Sequence, residues 1–183
     1  MFLIQRLEKV YKDGLAKSIG VSNFNVSQME RILKIATVPI HNLQVECYLY
    51  LPQNELVDFC KKHNILFTGY CPIGSPGRFS CTGKGVEFKH TPNPLEDALV
   101  KKLAEKYHKT PAQILIRHLL QRGLSPIPKS VNEKRIKENW DIFDFELDAN
   151  DFKQLNSFKN QYRLAFWDFV KGHPEDPFKD ERN

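Results

Sequence analysis

Residues 15–25, Leu-Ala-Lys-Ser-Ile-Gly-Val-Ser-Asn-Phe-Asn, decide the fold. Leu15–Val21 reads as a short buried strand. Asn25, with Gln28 at the third helical position, reads as a capping box that opens the next helix. Ser22 and Asn23 then stand at the carboxyl end of a strand, where cofactors and chemistry collect in parallel α/β proteins.

Outward from this stretch the chain repeats one supersecondary unit. Val26, Met29, Ile32, Leu33 and Ala36 recur at helical spacing. A second strand is predicted near Ile40–Glu46, and Pro52 suits the first position of a helix whose inward face is Leu56, Val57 and Cys60. Ile65–Tyr70 is a compact apolar and aromatic strand. Cys71 to Pro94 is long and irregular, a loop length that is usually functional. Leu95, Leu99, Leu103 and Tyr107 mark a helix, and Thr110-Pro111-Ala112-Gln113 opens another that stops at Arg122-Gly123. Leu124–Pro128 is the last strand. Ser130-Val-Asn-Glu133 reads as a capping box for a helix through Asn139, and Asp148 caps a helix containing Phe152 and Leu155. Residues 162–183 have little periodicity and read as a tail. Alternating strands and helices imply a parallel sheet with right-handed crossovers.

The 183 residues are enough to bury a core but short of the roughly 250 that a closed (β/α)₈ barrel uses. No stretch approaches the roughly 18 apolar residues of a membrane span, and early charges interrupt any secretory signal. The net charge of +5 and pI of about 9.0 are spread among acidic residues without a basic block, which argues against a nucleic-acid partner and suits an anionic ligand. Cys47, Cys60, Cys71 and Cys81 have neither Cys-x-x-Cys nor zinc-ligand spacing, so reduced thiols in a cytoplasmic protein and no metal are expected. Gly-x-Gly-x-x-Gly, Walker, Gly-x-Ser-x-Gly and His-Glu-x-x-His motifs are missing from the sequence.

Several separated motifs resemble the aldo-keto reductases. They are Lys-Ser-Ile-Gly-Val-Ser-Asn-Phe-Asn at 17–25, Asn-Leu-Gln-Val-Glu at 42–46, and Gly-Tyr-Cys-Pro-Ile-Gly-Ser-Pro at 69–76. Thr-Pro-Ala-Gln-Ile-Leu-Ile-Arg at 110–117, Ile-Pro-Lys-Ser at 127–130 and Phe-Asp-Phe-Glu-Leu at 143–147 follow in the family's order. The resemblance implies a partial (β/α)₈ TIM barrel, approximately strands 5–8 with their helices. Residues 1–161 would form the half-barrel, and 162–183 a carboxyl-terminal tail contributing to the substrate pocket.

By the same resemblance, Ser22, Asn23 and Gln44 would hold a nicotinamide carboxamide, and Tyr70 would stack on its ring. The loop of Cys71, Ile73 and Ser75 would meet a pyrophosphate. Cys71 stands where the family commonly has Ser, exchanging a good hydroxyl donor for a weak thiol donor. Lys129, Ser130 and Arg135 would contact a 2′-phosphate, Val131 between them would belong to the same cofactor site, and Glu138 and Asn139 would contact an adenine. A strand end facing a helix amino terminus is independently suited to anions, and Arg135 can offer a planar fork. The implied cofactor is NADP(H).

The family's catalytic Tyr, Lys, Asp and His have no match here. Tyr11, His41 and His63 lie in unrelated motifs. The sequence therefore reads as the carboxyl-terminal portion of an NADPH-dependent oxidoreductase acting on a small-molecule aldehyde or ketone, inactive by itself. It could be a truncated product, a partial gene model or half of a two-chain enzyme. The alternative is a non-catalytic half-barrel that binds nucleotide or protein. Four strands cannot close a barrel, so an exposed apolar face and self-association through it are expected.

Overall fold

The computed structural model describes residues 2–77, 86–88, 92–159 and 161–182. They form two compact units, one of Met1–Val45, Gln53–Thr68 and Lys171–Asn183, the other of Glu46–Pro52 and Gly69–Val170.

The first unit contains α1 (Phe2–Lys12), β1 (Gly20–Ser22), α2 (Val26–Ile35), most of β2 (Asn42–Glu46), α3 (Asn54–Lys62) and most of β3 (Leu66–Tyr70), with strand order β1-β2-β3. β1 and β2 run parallel, with Gly20 opposite Asn42 and Ser22 opposite Gln44. Alternation sends Val21, Leu43, Val45 and Phe67 into the core with Met29, Ile32, Leu56, Val57 and Cys60 from the helices. The opposite face carries Gly20, Ser22, Asn42 and Gln44, so in this unit it is small and polar rather than the expected apolar patch, the exposed Leu66 apart.

Two expectations for this unit need correction. β1 begins at Gly20, not Leu15, which is 78% exposed. Gly14 takes φ +73°, and the Leu15 and Ala16 N–H groups bond to the Val10 carbonyl, so this stretch ends α1 before any strand begins. Helix α3 starts at Asn54, after Gln53 in the left-handed region, so Pro52 lies outside it. The α2 capping box is formed as predicted, with Asn25 and Gln28 each accepting the other's backbone N–H. Residues of the tail are tied down here. The Asn25 and Gln28 amides donate to the Pro177 and Glu175 carbonyls, Arg31 pairs with Glu175 through both guanidinium nitrogens, and Phe178 is buried.

In the second unit the ends of β2 and β3 are followed by β5 (Ser125–Ile127), in the order β2-β3-β5. The unit also holds β4 (Val86–Phe88), α4 (Ala98–Tyr107), α5 (Pro111–Gln121), α6 (Glu133–Trp140), α7 (Ala149–Leu155) and β6 (Ala165–Trp167). β4 and β6 form an antiparallel pair, so the stretches read as irregular loop and tail each contain a strand. Residues 78–85, including Cys81, lie outside the described residues. Leu95 falls in a 3₁₀ turn, Pro94–Glu96, ahead of α4.

Helix α5 is the centre of this unit. Thr110 and Gln113 form its capping box, Pro111 takes the first position, and Gly123 follows its end at φ +81°. Ile114, Leu115, Val100, Leu103, Tyr48 and Leu155 pack into one core. The predicted Ser130 cap is replaced. Asn132 accepts the Arg135 N–H, and the Ser130 hydroxyl accepts from the Asn132 N–H instead, so the cap lies two residues beyond the expected one and α6 begins at Glu133. Asp148 caps α7 as expected by accepting from Asp151 N–H.

Candidate cofactor site

Within the first unit, Ser22, Asn23 and Gln44 lie together at adjacent strand ends. Asn23 takes φ +58° and its backbone N–H donates to the Gln44 carbonyl at 2.9 Å. Because Asn25 caps α2, neither Ser22 nor Asn23 is needed there. An open cavity of about 450 Å³ is lined by Ser18–Ser22, Asn42 and Gln44. Thr68 donates to the Asn42 side chain at 2.8 Å, which occupies Asn42. The Gln44 amide and Ser22 hydroxyl have no partner among the described residues. Gly20 is required for this geometry, since a Cβ there would lie 2.6 Å from the Asn42 carbonyl oxygen.

Within the second unit, Tyr70 ends β3 half-buried, and burial, reinforced by the Glu46 charge, raises its phenol well above the usual range. Cys71, Gly74 and Ser75 all take positive φ, at +56°, +77° and +47°. Gly74 is forced, because a Cβ would sit 2.5 Å from the Pro94 ring. Ile73 and the Cys71 side chain pack on the apolar core, leaving the backbone as the loop's polar surface.

β5 neighbours β3, so the segment after Ile127 leaves a strand adjacent to the Tyr70 loop. Lys129 and Arg135 are exposed, and among the described residues neither side chain has an acidic partner. Ser130 is half-buried and Val131 exposed. Glu138 and Asn139, further along α6, are half-buried, with Glu138 3.8 Å from Lys134. Two unpaired cations beside a helix start fit a phosphate group.

Glu46 is the residue whose importance the motif reading missed. It is fully buried, and its carboxylate accepts from the Leu164 N–H at 2.6 Å and the Ala165 N–H at 3.1 Å, with the Arg163 guanidinium 4.0 Å away. Its signal was an acidic residue inside an apolar strand. Cys47 and Cys60 are buried thiols, each pushed up to about 11 chiefly by desolvation, which suits structural roles. Among the described residues no group of His, Cys, Asp and Glu could hold a metal, and no helix is long and apolar enough to cross a membrane.

The chain is similar to known proteins in sequence and in fold. The model of the Aldo/keto reductase family matches residues 3–160. Aldo-keto reductase family 1 member A1 of Gallus gallus is 42% identical, over 95% of this chain and 54% of that protein. Prostaglandin-E(2) 9-reductase of Oryctolagus cuniculus is 43% identical over 97% of this chain and 54% of its own length. The aldose reductase of Schistosoma japonicum superposes with a TM-score of 0.84 at 36% identity, covering 97% of this chain and 53% of that one. An aldo-keto reductase crystal structure complexed with NADPH gives 0.82 at 37% identity, covering 94% and 51%. The chain thus spans about half the length of the relatives it matches. With a family match across most of its residues and more than 40% identity to such relatives, this chain belongs to the aldo/keto reductase family.

Proposed function

We propose that this chain supplies the NADP(H)-binding portion of a carbonyl reductase, corresponding approximately to the fifth to eighth strand–helix units of a TIM barrel. The observation that carries this reading is the pair of exposed, unpartnered cations, Lys129 and Arg135, flanking the start of α6. The reductase and NADPH named for its relatives support it. Bound NADPH would supply a hydride to an aldehyde or ketone. Ser22, Asn23 and Gln44 would hold the carboxamide, Tyr70 the ring face, and the Cys71–Ser75 backbone the pyrophosphate. Lys129, Ser130 and Arg135 would take the 2′-phosphate, with Val131 between them in the same cofactor site, and Glu138 and Asn139 the adenine. Residues 162–183 would contribute to the substrate pocket. Carbonyl reduction needs an acid at the carbonyl oxygen, and this reading assigns that acid to residues beyond these 183.

Calorimetric titration of the chain with NADPH and NADH tests the proposal. Each charge-assisted contact contributes about 1.5–3 kcal/mol, so NADPH binds roughly tenfold or more tightly, and Arg135→Ala removes most of that preference while sparing NADH. Equal affinities for the two dinucleotides would refute the phosphate assignment.

A further inference from the structure

Strand β6 alternates: Phe166 is buried, while Ala165 and Trp167 face the other way, with Trp167 36% exposed. Its start is fastened to the end of β2, where the Glu46 carboxylate accepts the Leu164 and Ala165 N–H groups. Tyr70 is fastened to the same place, since its carbonyl accepts the Cys47 N–H at 3.1 Å. On its other flank β6 pairs with β4, and Val86 stands opposite Trp167. Between these anchors the Trp167 indole N–H donates to the Tyr70 hydroxyl. A side chain of the carboxyl-terminal segment thus closes on the ring that ends β3.

We propose that Trp167 is a positioning residue for Tyr70, its indole N–H holding the phenol ring where a nicotinamide would stack on it. This rests on the cofactor reading above, in which Tyr70 takes the ring face. A tyrosine side chain swings about its Cα–Cβ bond, and Tyr70 ends its strand only half-buried. A hydrogen bond at the far end of the ring stops that swing before a ligand arrives, so stacking costs less ordering. Indole suits the task, because it offers a single N–H donor on a broad, stiff body. The Phe169 ring, with its centroid 5.5 Å away, supports the indole in turn. Since Glu46 fixes the start of β6 through backbone bonds, Trp167 is placed by the strand and not by its own burial. Trp167 acts on the nicotinamide end alone, and Lys129 and Arg135 serve the phosphate end, so ligands that reach one end or both distinguish them.

Calorimetric titration of the 183-residue chain with NADPH and with adenosine 2′,5′-bisphosphate tests this, with circular dichroism confirming that each variant is folded. The bisphosphate carries the 2′-phosphate and adenine but no nicotinamide. Trp167→Phe weakens NADPH binding roughly three- to tenfold, the contribution of one neutral hydrogen bond, and leaves the bisphosphate unchanged. Tyr70→Phe keeps the stacking ring but lacks the hydroxyl, so it gives the same loss, and the double variant loses no more than either single one. Two-dimensional ¹H–¹⁵N NMR reads the bond without any ligand. The indole resonance that Trp167→Phe deletes is protected from solvent exchange in the wild type and loses that protection in Tyr70→Phe. Equal weakening of both ligands by Trp167→Phe, or of neither, overturns the positioning role, as does an indole resonance indifferent to Tyr70→Phe. A wild type that binds neither ligand refutes the cofactor reading itself, and the positioning role with it.

Discussion

Replacing Glu46 with Gln isolates one buried carboxylate that holds two distant parts of the chain together. Its two oxygens accept the Leu164 and Ala165 N–H groups, 118 and 119 residues away, and Arg163 provides the nearby positive charge. Gln keeps the volume and one acceptor oxygen but turns an NH₂ toward the second N–H, leaving that donor unsatisfied and removing the negative charge that lies 4.0 Å from the Arg163 guanidinium. Each charge-assisted bond contributes about 1.5–3 kcal/mol. Breaking one side of a buried ion pair costs about 3–5 kcal/mol, a large share of the roughly 5–15 kcal/mol that holds a domain folded. At about 2–4 °C per kcal/mol for a chain of this size, the melting temperature falls by roughly 6–20 °C. Urea titration gives the free energy, and hydrogen exchange at the Leu164 and Ala165 amides locates the loss. A cost below about 1 kcal/mol, with those amides still protected, would refute the view that Glu46 pins this segment.

Two further outcomes follow from buried geometry. His118 is buried, with Nε2 2.9 Å from the Asn156 side-chain oxygen, and desolvation lowers its pKa to about 4 from 6.5. The unfolded chain therefore binds a proton that the native state refuses, so stability falls as pH drops from about 6.5 to about 4, by about 3 kcal/mol in total. Urea midpoints at pH 7 and 4.5 for the wild type and His118→Gln check this, and parallel pH profiles would contradict it. Gly20→Ala places a methyl group 2.6 Å from the Asn42 carbonyl oxygen, forcing β1 away from β2 at a cost of about 1–3 kcal/mol. Thermal melts measure it, and an unchanged melting temperature would show that the strands yield freely.

The parts legible from the residues alone are those whose partners lie within a few positions. The Asn25–Gln28 and Thr110–Gln113 capping boxes and the Asp148 cap formed where expected, because each is an interaction over three residues on a helix turn. The inward face of α3, Leu56, Val57 and Cys60, followed from helical spacing, and the ordered family motifs pointed to the α/β fold and the family. Competition between equally good local signals was decided by the folded chain. Leu15 has a strand-like side chain, but the turn after Gly14 claims its N–H. Ser130 satisfies a capping pattern, but Asn132 takes the cap because the helix begins later. Contacts distant in sequence left no periodic trace. The β4–β6 pair, the hold of Glu46 on residues 164–165, and the Gln28 and Arg31 contacts to Glu175 join segments 77 to 147 residues apart. Such pairs are chosen by which surfaces meet when the core closes, so only the tertiary structure decides them.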